Sequence, residues 1–133
     1  MKKDTNRQKK LHFHNWYKSF VFAFNGLRLF FCTQPNSWIH CIATVFVITF
    51  GFLLNVSNFE WCLLIFAIGI VFAAELFNTA IEFLTDMISP RYDEKAGKVK
   101  DIAAAGVLIA AITSVIIGFI VFVPKILKTY LGS

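Results

Sequence analysis

The chain has 133 residues, of which 57% are hydrophobic and 16% charged, and it carries a formal net charge of +5. A soluble domain usually has about 25% charged residues, so an ordinary water-soluble fold is excluded. The three cysteines, an odd number within apolar runs, argue against a secreted disulfide scaffold. The composition therefore predicts a small integral membrane protein.

The positive charge is compatible with two kinds of partner, nucleic acid or anionic lipid. The sequence contains no zinc-finger spacing, RNA-binding signature or other nucleic-acid motif. Its lysines and arginines instead flank the hydrophobic segments, where orientation signals and contacts with lipid headgroups are found. We therefore predict a membrane partner and no nucleic acid.

Residues 1–32 are predicted to form a polar tail followed by a surface helix. Between His12 and Phe31, apolar residues recur every three or four positions, while polar residues interrupt any spanning run. This pattern is typical of an amphipathic helix that lies at the membrane surface. The alternative is that the segment is the start of the first membrane span.

Three membrane helices are predicted, at about 38–56, 59–88 and 101–123. The second is roughly 30 residues, or about 45 Å, long, which exceeds the roughly 30 Å hydrocarbon core, so its far end must project or tilt. Pro124 is predicted to close the third helix. The predicted fold class is thus an all-α membrane protein, with a surface helix and three transmembrane helices in a single domain over 1–133.

The basic residues also predict the orientation of the chain. Seven lie before the first long apolar run and four lie in the connection 91–100, whereas the turn 55–58 has none. The positive-inside rule therefore puts the N-terminus and the connection 91–100 in the cytoplasm. With three spans, the turn 55–58 and the C-terminus face outward.

A polar stripe marks the second membrane helix. Glu75, Asn78, Glu82 and Asp86 are spaced i, i+3, i+7 and i+11, which brings them within an arc of about 80°. Such a stripe in a membrane costs several kcal/mol unless it is paired, hydrated or functional. Glu75 has apolar neighbours in sequence and suits a general base. The alternatives are that Glu82 and Asp86 are solvated on a protruding helix, and that Glu75 and Asn78 only join helices.

Lys100 and Asp101 open the third membrane helix, on the same side as Glu82. Two carboxylates and a lysine can hold a hard cation and a polyphosphate, although a lysine at a membrane boundary is also an ordinary anchor. The sequence has neither a P-loop nor a kinase catalytic-loop signature. The histidines form no metal-ligand set, and His40 is interpreted as a packing or interfacial residue.

The segment 74–82 (AELFNTAIE), followed by Asp86, Tyr92 and the pair Lys100-Asp101, resembles the prokaryotic diacylglycerol kinase family. This family of small membrane proteins also contains undecaprenol kinases. Its signature is E-x-x-N-[ST]-A-I-E, with a K-D pair that opens the third span. The similarity covers most of the chain.

The resemblance implies ATP-dependent phosphorylation of a lipid hydroxyl, that of diacylglycerol or undecaprenol, at the cytoplasmic face of a bacterial plasma membrane. It also implies Mg²⁺ as cofactor and a homotrimer with sites between subunits. It assigns Glu75 as the catalytic base, and Glu82 and Gln34 as metal ligands. The remaining implied contacts are with ATP (Glu82, Arg91, Tyr92, Asp93, Lys100 and Asp101) and with the lipid substrate (Arg28, Asn78 and Ala104).

Gln34 departs from the family pattern, which usually has a glutamate at this position. An amide oxygen can coordinate Mg²⁺ but contributes no negative charge, so we expect weaker metal binding. This leaves open a catalytically weak or inactive member that binds lipid and nucleotide. A small transporter is a further alternative, because an acid within a membrane can relay ions. Ala104 replaces a serine that some relatives have, with an expected effect on substrate contacts.

Overall fold

The computed structural model of the chain describes the backbone of residues 2–131 and the side chains of residues 16–129. Over this range the chain forms four α-helices: α1 (Lys2–Thr33), α2 (Asn36–Leu53), α3 (Asn58–Ile88) and α4 (Glu94–Leu131). Three of them, α2, α3 and α4, are long and apolar enough to cross a membrane. The predicted all-α membrane fold is confirmed.

The chain divides into two compact units, Met1–Pro35 and Asn36–Ser133. The first unit contains α1, whose exposed aromatic side chains include Trp16, Phe20 and Phe24 at four-residue spacing. The helix begins earlier than the predicted His12, and the side chains of the predicted polar tail, residues 1–10, lie outside the described residues. That α1 lies on the membrane surface stays a prediction.

The second unit is built around α3, against which α2 and α4 both pack. At the end where α2 meets α3, here called the turn end (residues 54–57), Leu64 and Val121 form a buried cluster with Val56. Further along, the Ser114 hydroxyl of α4 donates to the Ala67 carbonyl of α3 at 2.9 Å. These contacts fix the α3–α4 pair whose opposite end, the loop end (residues 89–93), carries the polar residues.

α2 ends three residues before the predicted boundary, because a Schellman motif closes it. Asn55 has a positive φ of 48°, the left-handed conformation that such a helix end requires. Its N–H donates to the Phe52 carbonyl at 3.3 Å, and the Val56 N–H donates to the Gly51 carbonyl at 3.1 Å. The turn between α2 and α3 is therefore short and well defined.

α3 starts with a capping box. The Ser57 hydroxyl accepts from the Glu60 N–H at 3.3 Å, and the Glu60 carboxylate accepts from the Ser57 N–H at 2.6 Å. The two residues satisfy two backbone donors that a helix start would otherwise leave open. α3 then runs to Ile88, in agreement with the predicted helix 59–88.

α4 is longer than the predicted membrane helix 101–123 at both ends. Asp93 caps its start, because one carboxylate oxygen accepts from the N–H groups of Lys95 and Ala96 at 2.8 and 2.9 Å. At the other end the helix continues through Pro124 to Leu131. Proline removes one backbone hydrogen bond, but the next residue, Lys125, forms an ion pair with Glu60 at 2.9 Å, which helps to hold this turn against α3.

Candidate active site

The most buried carboxylate of the polar stripe is paired with a histidine from another helix. Glu75 of α3 has a side chain that is only 7% exposed, and its Oε1 lies 2.9 Å from Nε2 of His40 on α2. The His40 ring also packs edge-on against the Phe72 ring, with centroids 6.2 Å apart. The acid in the apolar part of the helix pair is therefore held by a specific partner.

One turn towards the loop end, Asn78 and Glu82 form a second pair. The Asn78 side-chain amide donates to Glu82 Oε1 at 3.0 Å. Among the described residues, two buried oxygens beside this pair have no hydrogen-bond partner, Asn78 Oδ1 and Thr79 Oγ1. Buried polar atoms are nearly always satisfied in folded proteins, so these two oxygens indicate a place where a ligand can bind.

The stripe ends in an exposed ion pair. Lys100 of α4 donates to Asp86 of α3, and the two side chains are 36% and 63% exposed. Side-chain exposure thus rises from 7% at Glu75 to 63% at Asp86, over three turns of one helix. The stripe joins an apolar interior to an exposed charged end, where Lys100 contacts Asp86.

The other residues assigned to ATP or substrate fall into two groups. Arg91 and Tyr92 are exposed in the loop after α3, and Asp101 and Ala104 are exposed on α4. Asp93 has a structural function that the sequence analysis did not anticipate, since its carboxylate caps α4.

Arg28 and Gln34 belong to the first unit. Arg28 is exposed on α1, and the backbone N–H of Gln34 donates to the Phe30 carbonyl at 2.9 Å, which extends the hydrogen-bonding pattern of the helix by one residue.

The side chains at 16–129 contain no group of three or more His, Cys, Asp or Glu residues that could hold a metal ion. Mg²⁺ does not require such a group, because it is commonly bound by one or two carboxylates together with water and substrate phosphates. Glu82 on α3 offers a carboxylate, an oxygen ligand of the type that Mg²⁺ prefers. Such a carboxylate fits a cation that is bound jointly with a phosphate ligand.

An apolar groove of about 330 Å³ runs beside the stripe between α2, α3 and α4. His40 and Phe72 line the part nearest Glu75, and Phe122 lines the part towards the turn end. Ala111 and Gly118 contribute small residues to the wall. The groove is therefore continuous, through His40, with the most buried carboxylate of the stripe.

His40 is the site residue that the sequence analysis missed, since it was interpreted as a packing or interfacial residue. A signal was present. Because α2 and α3 are antiparallel, distances counted from their turn place His40 about 20 Å and Glu75 about 26 Å along the two helices, one turn apart. That difference lies within the reach of two long side chains.

These features define an integral membrane protein whose carboxylates and lysine meet at one end of a helix pair, a combination suited to phosphoryl transfer. The model of the family described as prokaryotic diacylglycerol kinase matches residues 21–122. The chain belongs to this family, and the resemblance inferred from its motifs is confirmed.

The relatives of the chain include kinases with two different names. An undecaprenol kinase from Bacillus subtilis is 38% identical over 113 residues, covering 85% of this chain and 92% of that protein. A diacylglycerol kinase from Synechocystis is 38% identical over 115 residues, covering 86% and 66%. A diacylglycerol kinase from Escherichia coli is 31% identical over 99 residues, covering 74% and 81%. The predicted enzyme class, a membrane-embedded kinase, is confirmed.

Proposed function

We propose that the chain transfers the γ-phosphoryl group of ATP to the hydroxyl of a membrane lipid, diacylglycerol or undecaprenol. One observation supports this proposal most strongly. In this member of a kinase family, the polar stripe on α3 runs from the buried carboxylate of Glu75 to the exposed pair Asp86–Lys100. A lipid alcohol can approach such a stripe from the apolar interior, and a nucleotide can approach it from the water-exposed end. The two relatives of 38% identity carry different lipid names, so both alcohols remain candidates.

Glu75 acts as the general base of the proposed reaction. Its carboxylate takes the proton of the lipid hydroxyl, and the lipid oxygen forms a bond to the γ-phosphorus of ATP. The bond from that phosphorus to the bridging oxygen breaks, and ADP leaves with the electron pair. A lipid alcohol is a weak nucleophile, so a positioned base lowers the barrier of this step. Asn78 Oδ1, which has no partner among the described residues, can accept a hydrogen bond from the lipid.

The nucleotide binds at the loop end in this proposal. Lys100 donates to the phosphates, Asp101 binds beside it, and the exposed loop residues Arg91 and Tyr92 contact the rest of ATP. In the free protein Lys100 is paired with Asp86. An ion pair this exposed contributes at most about 1 kcal/mol, so the lysine can exchange Asp86 for a phosphate at little cost. In this proposal Asp93 contacts ATP while its carboxylate continues to cap α4.

Glu82 and Gln34 would hold Mg²⁺ together with the ATP phosphates. When bound, the ion neutralises charge on the phosphate oxygens during the transfer. Asn78 restrains one oxygen of Glu82, through the hydrogen bond of 3.0 Å, and so limits the orientations of that carboxylate. Gln34 contributes no charge, which predicts a higher magnesium requirement than a glutamate would give.

The hydrocarbon chain of the lipid occupies the apolar groove, because the groove adjoins Glu75 through His40. A Cβ added at Gly118 meets no atom within 4 Å, so a leucine there projects into the groove without a backbone clash. Gly118→Leu should raise the KM for lipid and leave the KM for ATP unchanged. A changed oligomeric state with an unchanged lipid KM would indicate instead that a second copy of the chain fills the groove.

The proposed enzyme is a homotrimer in a bacterial plasma membrane, with Arg28 and Ala104 at the lipid-binding surface. The trimer, with sites between subunits, is proposed on the basis of the family to which the chain belongs. The clusters of Lys and Arg support a cytoplasmic N-terminus and a cytoplasmic loop 91–100. The C-terminus then lies outside.

The test is a direct assay of the purified full-length protein. Detergent-solubilised protein is incubated with Mg²⁺ and ATP labelled in the γ-phosphate, and diacylglycerol and undecaprenol are offered in parallel. We expect label in the lipid fraction with one or both alcohols, and none when lipid is omitted. Absence of labelled lipid with both alcohols, at saturating nucleotide and magnesium, overturns the proposal.

A further inference from the structure

We infer that His40 is a positioning residue for Glu75, an inference that rests on the proposed function. The contact joins two helices across 35 positions of sequence, and the two atoms are 2.9 Å apart. Neither the family signature nor the sequence analysis includes this histidine. His40 therefore gives α2 a role in the site beyond its share of the groove wall and its packing on α3.

The ring of His40 is fixed from two sides. Glu75 Oε1 lies within hydrogen-bond distance of its Nε2 atom, and the Phe72 ring packs against it in an edge-on arrangement, at an interplanar angle of 70°. Both partners lie on α3, one turn apart. The His40 side chain is 22% exposed, so the ring sits at the border of the groove and not at the protein surface. A ring held in this way can restrain the carboxylate that it contacts.

The contact also makes the two carboxylate oxygens of Glu75 different from each other. Oε1 is engaged by His40, and among the described residues no hydrogen bond to Oε2 is formed. In the proposed reaction Oε2 takes the lipid proton, while the bond to Oε1 limits rotation of the carboxylate. A base with a restricted orientation loses less freedom when the substrate binds, and misplacement by about 1 Å can cost a hundredfold in rate. His40 therefore affects the chemical step through Glu75, without contacting the reacting hydroxyl.

A role limited to packing makes a different prediction. If His40 only joined α2 to α3, its loss would destabilise the protein and lower the amount of folded enzyme, with kcat per folded molecule unchanged. A positioning role predicts a lower kcat at unchanged KM values. It also predicts partial rescue by glutamine, whose amide can donate to Glu75 Oε1 from nearly the same place as the imidazole nitrogen.

The experiment compares His40→Leu, His40→Gln and the control Thr49→Val in the full-length protein. Thr49 lies on α2 and is exposed, and its hydroxyl donates to the Val45 carbonyl of its own helix at 2.8 Å. We expect His40→Leu to lower kcat about 10- to 100-fold, with the KM for lipid and ATP within about twofold of the original protein. His40→Gln should recover most of that loss, and Thr49→Val should retain full kcat.

A spectroscopic readout tests the contact independently of activity. In protein labelled with nitrogen-15 in histidine, the His40 signal is the one that is lost in His40→Leu. It should shift in Glu75→Gln, because the carboxylate acceptor becomes an amide, and should not shift in Glu60→Gln. An unchanged His40 signal in Glu75→Gln overturns the inference.

The outcomes separate the two proposals. If the original protein phosphorylates a lipid and His40→Leu keeps full kcat, the positioning role is overturned and the proposed function stands. A loss of total activity in His40→Leu that disappears when kcat is expressed per folded molecule, accompanied by a lower unfolding temperature, assigns His40 to packing and also overturns the inference. If the original protein phosphorylates neither lipid, the proposed function fails, and the positioning role fails with it.

Discussion

Glu60 and Glu75 lie on the same helix, four turns apart, and differ in how far the polar groups around them have hydrogen-bond partners. Glu60 caps α3, forms an ion pair with Lys125 at 2.9 Å, and shares this lysine with the Asn55 carbonyl. Glu60, Ser57 and Lys125 thus satisfy one another within this cluster. Among the described residues, Glu75 has one hydrogen-bond partner, His40, and lies one turn from two buried oxygens that have none.

The comparison separates two uses of polar residues in one helix bundle. The cluster at the turn end closes a helix start and fixes α4 beside α3, and its groups gain stability from one another. Towards the loop end, Asn78 Oδ1 and Thr79 Oγ1 have no hydrogen-bond partner among the described residues, which costs stability. Unused capacity of this kind is expected where a substrate will supply the missing partners.

The sharpest test of this comparison replaces each glutamate by glutamine. Glu75→Gln should lower kcat for lipid phosphorylation about 10²- to 10⁴-fold, because the amide cannot accept the hydroxyl proton. Its unfolding temperature should stay close to that of the original protein, since the amide can still form a hydrogen bond with His40. Lipid phosphate production and thermal unfolding of the same detergent preparations measure the two effects.

Glu60→Gln is the matched control on the same helix. We expect kcat within about twofold of the original value and a slightly lower free energy of unfolding, because the ion pair with Lys125 is weakened. The assignment of Glu75 to catalysis is contradicted if Glu75→Gln keeps more than about a tenth of the activity, because a larger loss is expected for a general base. The structural assignment of Glu60 is contradicted if Glu60→Gln is the variant that loses catalysis.

Lys100→Met tests the exposed end of the stripe. Removal of a charge-assisted contact to phosphate should raise the KM for ATP about 10- to 100-fold. Stability should change little, because the pair with Asp86 is exposed. Lys98→Met is the control, since Lys98 forms a similarly exposed pair with Glu94 on the same helix, at 2.6 Å. Equal effects of the two variants on the KM for ATP would show that ATP binding depends on the net charge of this region and not on a specific contact with Lys100.

The polar stripe could be predicted from the sequence because it depends on one helix. Spacings of three, four and seven residues fix which side chains of α3 share a face, whatever the rest of the molecule does. The same reasoning predicted the long second membrane helix, which α3 confirms to within a residue at its start.

The contact between His40 and Glu75 could not be predicted in the same way, because it depends on how two helices are aligned. Its geometry follows from the Schellman motif at Asn55 and from the packing of α2 on α3, neither of which a periodic pattern reports. The path of α4 through Pro124 was missed for a similar reason. The ion pair between Lys125 and Glu60 joins residues 65 positions apart in sequence.

Gln34→Glu tests whether Gln34 is a ligand of the proposed metal site. The added charge should lower the magnesium concentration required for half-maximal activity several-fold, an effect of about 1 kcal/mol for a charge near a partly hydrated ion. A magnesium titration of both proteins at fixed ATP measures this requirement. An unchanged titration curve would remove Gln34 from the metal site and leave Glu82 as the proposed protein ligand.

The smallest expected effect concerns the hydroxyl groups of Thr79 and Ser57, one unsatisfied and one satisfied. Thr79→Val replaces a buried oxygen without a described partner by a methyl group of similar size, so the free energy of unfolding should rise by about 1 kcal/mol. Ser57→Ala removes the side-chain cap of α3 and should lower it by about 1 kcal/mol. Denaturant titration in mixed micelles measures both values.

The two variants should also differ in activity. Because the Thr79 hydroxyl borders the proposed site, Thr79→Val should lose activity, whereas Ser57→Ala should not. A Thr79→Val protein that is less stable than the original would show that this hydroxyl already has a partner in the assembled enzyme.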